Sequence, residues 1–155
     1  GDWKYIGNAN SIVRNEARVV LEESSKDIDG GKVGNAAQTV VGFGFKYRIL
    51  NNLSIDADYR YYDDLYSSRQ EKNNLQLPSY QLMDAGVSYS INLSGKNKLG
   101  FRVNVNNIFD TEYISEMSTA THRTAESVTY KGVDVKNQGL IGLGRTWNAA
   151  VKFSF

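Results

Sequence analysis

Few residues of this sequence are equipped for bond-making chemistry. His122 is its single histidine and cysteine is absent. Neither an imidazole-rich nor a thiolate metal site can then be assembled, and no Ser-His-Asp set stands out. No side chain reads as a nucleophile beside its base, so no enzymatic activity, cofactor or bound metal is expected. His122 stands beside Arg123 in a polar stretch and is expected at the surface. Asp27-Ile28-Asp29-Gly30 has the start of a calcium loop, but Gln38 occupies the position where such a loop needs a glutamate. Asp63-Asp64 could hold a calcium ion only weakly. Gly142-Leu143-Gly144 lacks the strand, turn and helix that make a phosphate cradle.

The chemistry the sequence does offer is charge at alternate positions. Lys46 and Arg48 form one such set, Asp56, Asp58 and Arg60 a second, and Asp84, Arg102, Asn104 and Lys152 recur in later stretches. Each set interleaves with apolar or aromatic residues: Phe43, Phe45 and Tyr47; Ile55 and Tyr59; Val87, Tyr89 and Ile91; Phe101 and Val103; Val151 and Phe153. Side chains alternate across a strand, so each stretch is a ribbon with one oily and one hydrated face. The hydrated faces would wet a barrel lumen. The plainer reading is a solvated wall with cross-strand ion pairs.

The elements that position these residues follow from the same alternation. Residues 146–155 read TWNAAVKFSF, with Trp147, Phe153 and Phe155 on one face. A strand of roughly 9–11 residues with aromatics at both ends has the dimensions of a membrane-spanning β-strand. Further strands are expected from Thr39, from Leu53, around 83–93 and from Leu99, with a weaker one in 2–13. Residues 27–34, 67–79 and 118–144 read as loops, the last containing a short strand near 128–135. Connections alternate between short (51–52, 94–98) and long (67–79, 118–144), as in a barrel with short periplasmic turns and long outer loops.

Composition agrees. Ten Tyr, six Phe, two Trp and fourteen Gly against one Pro favour strands and turns. No run approaches the ~18 consecutive apolar residues of a transmembrane helix. Mean hydropathy is −0.45, which is ordinary for a barrel because only every second strand residue meets lipid. The net charge of +1 gives no global field for nucleic acid. The opening residues carry neither an initiator Met nor a signal segment, and the chain is expected to be a mature product or, by preference, a piece of something longer.

Four stretches carry a family resemblance: VGNAAQTV at 33–40, LPSYQLMDAGVSYSI at 77–91, NVNNIFDTEYIS at 104–115 and GRTWNAAVKFSF at 144–155. The third contains Asn107, Phe109, Asp110 and Tyr113 in an Asn-x-Phe-Asp-x-x-Tyr box and is the most specific. The chain resembles the C-terminal β-barrel portion of a TonB-dependent outer-membrane transporter of the Bacteroidetes type. The resemblance implies an all-β antiparallel meander of about six strands within a barrel of roughly 22, with a plugged lumen. It implies nutrient import across the outer membrane of a Gram-negative bacterium, with the C-terminus periplasmic. The cargo, whether siderophore, glycan, peptide or vitamin, is not readable. The implied partners are outer-membrane lipid, the remaining strands, a plug domain, TonB reached through the absent N-terminal region, the barrel assembly machinery and, in some importers, a surface lipoprotein. Trp147, Phe153 and Phe155 resemble the assembly signal. A non-transporting barrel or adhesin is the alternative. A soluble β-sandwich or lipocalin-like binder would instead turn Phe43, Tyr89 and Phe153 into a shared dry interior.

Overall fold

The computed structural model describes every residue from Gly1 to Phe155 and contains no helix. In chain order the strands are β1 (Asn8–Arg14), β2 (Val20–Asp27), β3 (Thr39–Leu50), β4 (Leu53–Asp63), β5 (Leu65–Tyr66), β6 (Gln76–Leu77), β7 (Tyr80–Asn92), β8 (Lys98–Asn106), β9 (Ile114–Met117), β10 (Thr129–Tyr130), β11 (Val133–Asp134), β12 (Gly139–Ile141) and β13 (Thr146–Ser154). The chain divides into two compact units.

One unit comprises Val40–Tyr62, Ser79–Tyr113 and Ile141–Phe155. Its strands make a five-stranded antiparallel sheet in the order β13-β8-β7-β4-β3. Asn51 and Asn52 alone connect β3 to β4, and neither adopts a positive φ. Between β7 and β8 a tight turn closes with the Leu93 amide donating to the Asn97 carbonyl at 2.8 Å, helped by Gly95 at φ 75°. The register places Ile55, Val87, Val103 and Ala149 in one row, and Leu53, Tyr89, Phe101 and Val151 in the next. The outer edges of β3 and β13 pair with nothing. This unit has almost no dry interior: Ala57 is its one buried apolar residue, while Phe43, Tyr89 and Phe153 are 67%, 42% and 53% exposed.

The other unit comprises Gly1–Thr39, Asp63–Pro78 and Ile114–Leu140. Here β1 pairs with β2, β5 with β6, β10 with β11 and β12 with β9. The strand expected in 2–13 exists, but it joins β2 in its own hairpin rather than the sheet. The reason lies in Val19-Val20-Leu21, a short apolar run amid charge that supplies the partner strand. The stretches expected as loops fold around a small core of Ile28, Leu65, Leu75, Leu77, Ile114, Met117 and Val133. Lys131 and Gly132, both at positive φ, turn β10 into β11.

Amide side chains hold this unit's backbone where strands are short. Trp3 N–H donates to Gln38 Oε1 and Gln38 Nε2 donates to the Trp3 carbonyl, both at 3.0 Å. Buried Asn74 donates to the Ser67 carbonyl at 2.8 Å and to the Lys32 carbonyl at 3.0 Å, and accepts from Ser67 Oγ and the Leu75 amide. Such pairing is what buried polar groups require. Asp27 accepts from the Asp29 amide and pairs with Lys72. Asp64 accepts from Thr39 Oγ1 and Gln76 Nε2. These aspartates are therefore ties between segments.

Asn74→Ala should leave several buried backbone groups unpaired, at about 1–3 kcal/mol. Hydrogen exchange of the amides in 65–77 should accelerate, and unchanged protection would refute the assignment. Asp2 pairs with Lys32 and Lys4, and these hydrogen bonds hold its carboxyl at about 2. A depressed folded value means that the tether is intact above the ordinary carboxylate range and is lost only as pH falls through about 2. The Asp2 carboxyl carbon shift should therefore stay that of a carboxylate at pH ~3, where a free aspartate is mostly protonated.

Candidate functional site

The strand pleat decides which side chains meet. On β4 the residues 54, 56, 58, 60 and 62 share a face, and the register carries it across the sheet. Asp56 stands opposite Gly86, Asn104 and Asn148; Ser54 opposite Ser88, Arg102 and Ala150; Asp58 opposite Asp84; Ser90 opposite Gly100 and Lys152. On β3 the space beside Gly42 and Gly44 is bounded by Arg60 and Asp58, which puts Lys46 and Arg48 on the same face. Lys46, Arg48, Asp56, Asp58, Arg60, Asp84, Arg102, Asn104 and Lys152 thus share one face of the sheet.

Some of these charges satisfy one another. Arg102 on β8 reaches over β7 to Asp56 on β4: Nη1 donates to Asp56 Oδ1 at 3.0 Å and Nη2 to Oδ2 at 2.9 Å, while Nη1 also donates to Ser88 Oγ at 2.9 Å. The clamp exists because Gly86 lies beneath it. A Cβ there would stand 2.7 Å from Arg102 Nη2 and 2.8 Å from both Asp56 Oδ2 and Asn104 Oδ1. Arg60 pairs with Asp84, whose other oxygen accepts the Asn107 amide at 2.8 Å. Asn104 Nδ2 donates to Asn148 Oδ1 at 2.8 Å. An exposed ion pair is worth about 0–1 kcal/mol, so these ties add geometric definition more than stability.

Beyond β8, the Asn107–Tyr113 box works as a fastening. Asn107, at φ 51°, accepts the Thr111 amide and donates to the Thr111 and Leu143 carbonyls. Asp110 accepts the Arg145 amide at 2.8 Å. The Gly142 amide donates to the Tyr113 carbonyl at 2.8 Å, and a Cβ on Gly142 would run into the Tyr113 ring. The box therefore sets where β13 begins.

Tyr62, Tyr80 and Tyr113 stack on the hydrated face at the end of the sheet away from the short turns, with centroids 4.9 and 4.3 Å apart. Sequence reasoning missed this ladder. It also missed Lys98, assigned to a turn although its even spacing with Arg102 placed it on the hydrated face. Gly86 carried no signal until the register set it between Asp56 and Asn104. His122 lies on the exposed surface of the loop unit, its Nε2 2.9 Å from the Asn73 carbonyl. It borders a concavity of about 730 Å³ with Lys32, Lys72 and Arg123, where Asp2 and Asp27 already engage both lysines.

The opposite face carries Phe43, Phe45 and Tyr47, Ile55 and Tyr59, Val87, Tyr89 and Ile91, Phe101 and Val103, Val151 and Phe153. Phe43 stacks on Tyr59 at 5.2 Å. Most of these large apolar groups lie open to the surroundings, and the shared dry interior required of a soluble binder does not form. Trp147 and Phe155 are 74% and 97% exposed, and Phe155 lies just past the end of β13, 6.2 Å from the Phe153 ring.

A model of the family described as TonB dependent receptor-like, beta-barrel, matches residues 1–108. Among curated proteins, the chain is similar to the ferrioxamine B receptors of two strains of Salmonella typhimurium. Each is 31% identical over 88 residues, covering 57% of this chain and 12% of the relative. The chain thus spans about an eighth of the length of these relatives. Neither comparison bears on the Bacteroidetes subtype.

Gly86→Val should force the Asp56–Arg102 clamp apart and cost about 1–3 kcal/mol, as overpacking does. The same change made beside Arg102→Ser should cost less, because the crowded group is gone. Urea titration of the full-length protein folded into lipid vesicles measures both; equal costs in the two backgrounds would show that Gly86 does not serve the clamp.

Proposed function

Because the chain belongs to the TonB-dependent receptor family, in its β-barrel part, we propose that it supplies the C-terminal strands of an outer-membrane receptor that imports a scarce nutrient. The observation that carries this reading is the sheet with an exposed aromatic face, a charged opposite face and two unpaired edges. A closed barrel in lipid answers all three. Acyl chains cover the oily face, water fills the lumen, and neighbouring strands take the edge hydrogen bonds that lipid cannot satisfy. The 9 to 13 residues of its five strands suit a tilted span.

The receptor reading assigns the chain no catalysis. The even-numbered charged residues form lumen wall, and the rings on the other side anchor the barrel in the membrane. The relatives' ligand favours a siderophore over the other nutrient classes. A plug domain and TonB complete the machine, with energy delivered from the inner membrane. The short turns at 51–52 and 94–97 then face the periplasm, and the C-terminus with them. Trp147, Phe153 and Phe155 form the signal read by the assembly machinery, by strand addition along β13.

Two experiments test the reading. Val87→Arg in the full-length receptor should destabilise the folded barrel by about 2–4 kcal/mol, because it drives a cation into the hydrocarbon region. Ser90→Arg, three residues on and on the opposite face of the strand, should cost far less. Equal penalties, or a wild-type protein recovered from the soluble fraction, would overturn the membrane assignment. Phe153→Ala with Phe155→Ala should lower the receptor's level in the outer membrane without lowering its synthesis; unchanged assembly would reject the signal.

A further inference from the structure

The last strand of the sheet is aligned differently from its neighbours. β4, β7 and β8 are held in step by the Asp56–Arg102 clamp, which stops at β8. β13 lies beyond it, paired along its whole length with β8 alone. Residues 107–145 separate the two strands, so no tight turn fixes their register as one does between β7 and β8. The division into oily and hydrated faces decides only half of the question. A slip of one residue would turn Trp147, Val151 and Phe153 onto the hydrated side. A slip of two keeps every side chain on its own face. Val151, which stands opposite Phe101, would meet Val103 or Leu99, both equally oily. Asn148 would exchange Asn104 for Asn106 or Arg102, each able to hydrogen-bond in its place.

Two features do separate these registers. The first is the Asn107–Tyr113 box. Asp110 Oδ1 accepts the Arg145 amide at 2.8 Å, and Asn107 Nδ2 donates to the Leu143 carbonyl at 3.2 Å. Both grip the backbone immediately ahead of β13. A two-residue slip carries that backbone about 7 Å along the strand, out of reach of either side chain. The second is Lys152, which stands opposite Gly100. A slip of two in one direction sets it opposite Arg102, and in the other opposite Lys98. Like charges directly opposite one another destabilise a strand pair. Of the three alignments, only the observed one leaves Lys152 with no cation across from it.

We propose that Asn107, Asp110 and Lys152 are positioning residues that lock β13 to β8 in a single register. The box grips from the loop end, and Lys152 rejects slipped alignments near the other. The lock goes beyond the import reading and asks only that the sheet be part of a barrel. Its consequence lies at the unpaired edge of β13. That edge must meet a strand outside this chain, and the stagger it presents sets how the barrel closes. None of the three residues draws on that further strand, so β13 reaches the closing step already aligned.

Disulfide trapping in the full-length receptor, in a background free of other cysteines, reads the register directly. Val151→Cys with Phe101→Cys reports the observed alignment. Val151→Cys with Val103→Cys, or with Leu99→Cys, reports the two slips. Cross-linking is measured on receptor recovered from the outer membrane, and on purified receptor folded into lipid vesicles where a variant is poorly recovered. Asn107→Gly with Asp110→Gly removes both grips without straining positions that sit at φ 51° and 53°. Combined with Lys152→Ala, the pair should raise the slipped fraction over wild type by roughly tenfold, the shift that losing one ordinary hydrogen bond's worth of bias permits. The matched variant Asp110→Asn with Lys152→Arg keeps the accepting oxygen and the charge, and should hold the observed register. If the triple variant forms slipped cross-links no more than wild type does, the lock is overturned and the receptor reading stands. Slipped cross-links that rise equally in the matched variant would overturn it too. A wild-type protein recovered from the soluble fraction would remove the receptor reading, whatever its cross-links show.

Discussion

The constraint on which this structure turns is the exposure of one face of a sheet. Five strands place large apolar rings on one side and ions on the other, and nothing in the same unit packs against the rings. In water this would forfeit roughly 25 cal/mol for each square ångström of apolar surface left uncovered. An apolar solvent reverses the sign of that term. The same medium forbids unpaired backbone at the edges, so a sheet of this polarity demands both lipid and further strands. Membership in a family of barrel receptors supplies both.

The second unit obeys the opposite rule. Its strands are short, its core is small and its carboxylates and amides serve as ties between segments. Ile28, Leu65, Leu75, Leu77, Ile114, Met117 and Val133 are buried as they would be in any water-soluble fold. Chain segments far apart in sequence meet there through single side chains: Gln38 at Trp3, Asn74 at Lys32, Lys72 at Asp27. Connections that read as polar loops therefore acquire a defined shape without long strands.

The sheet was legible in the sequence because its signal is a period of two sustained over whole strands. Phe43, Phe45 and Tyr47 against Gly44, Lys46 and Arg48 leave one assignment of faces, and a one-residue error would invert every side chain. The division of charged from oily residues followed directly. What stayed hidden depends on register or on distant contacts. The Tyr62–Tyr80–Tyr113 ladder joins three separate segments, and the Asp56–Arg102 clamp needs three strands in place. The loop-unit core was obscured because its apolar residues stand singly among polar ones, with no period to announce them. The strand at 20–27 was overlooked because Glu22, Glu23, Lys26 and Asp27 outnumber its apolar residues, Val20 and Leu21.

Gly86 has a reach out of proportion to its size. By leaving a gap in β7, it lets Asp56 on β4 grip Arg102 on β8, so one ion pair inspects the alignment of three neighbouring strands at once. Stagger between strands, together with their number, fixes a barrel's tilt and bore. A slip of either neighbour would part the grip, since the fork of Arg102 meets both carboxylate oxygens in a single alignment. The smallest residue of β7 thereby lets a single ion pair act as a gauge of how β4, β7 and β8 are aligned.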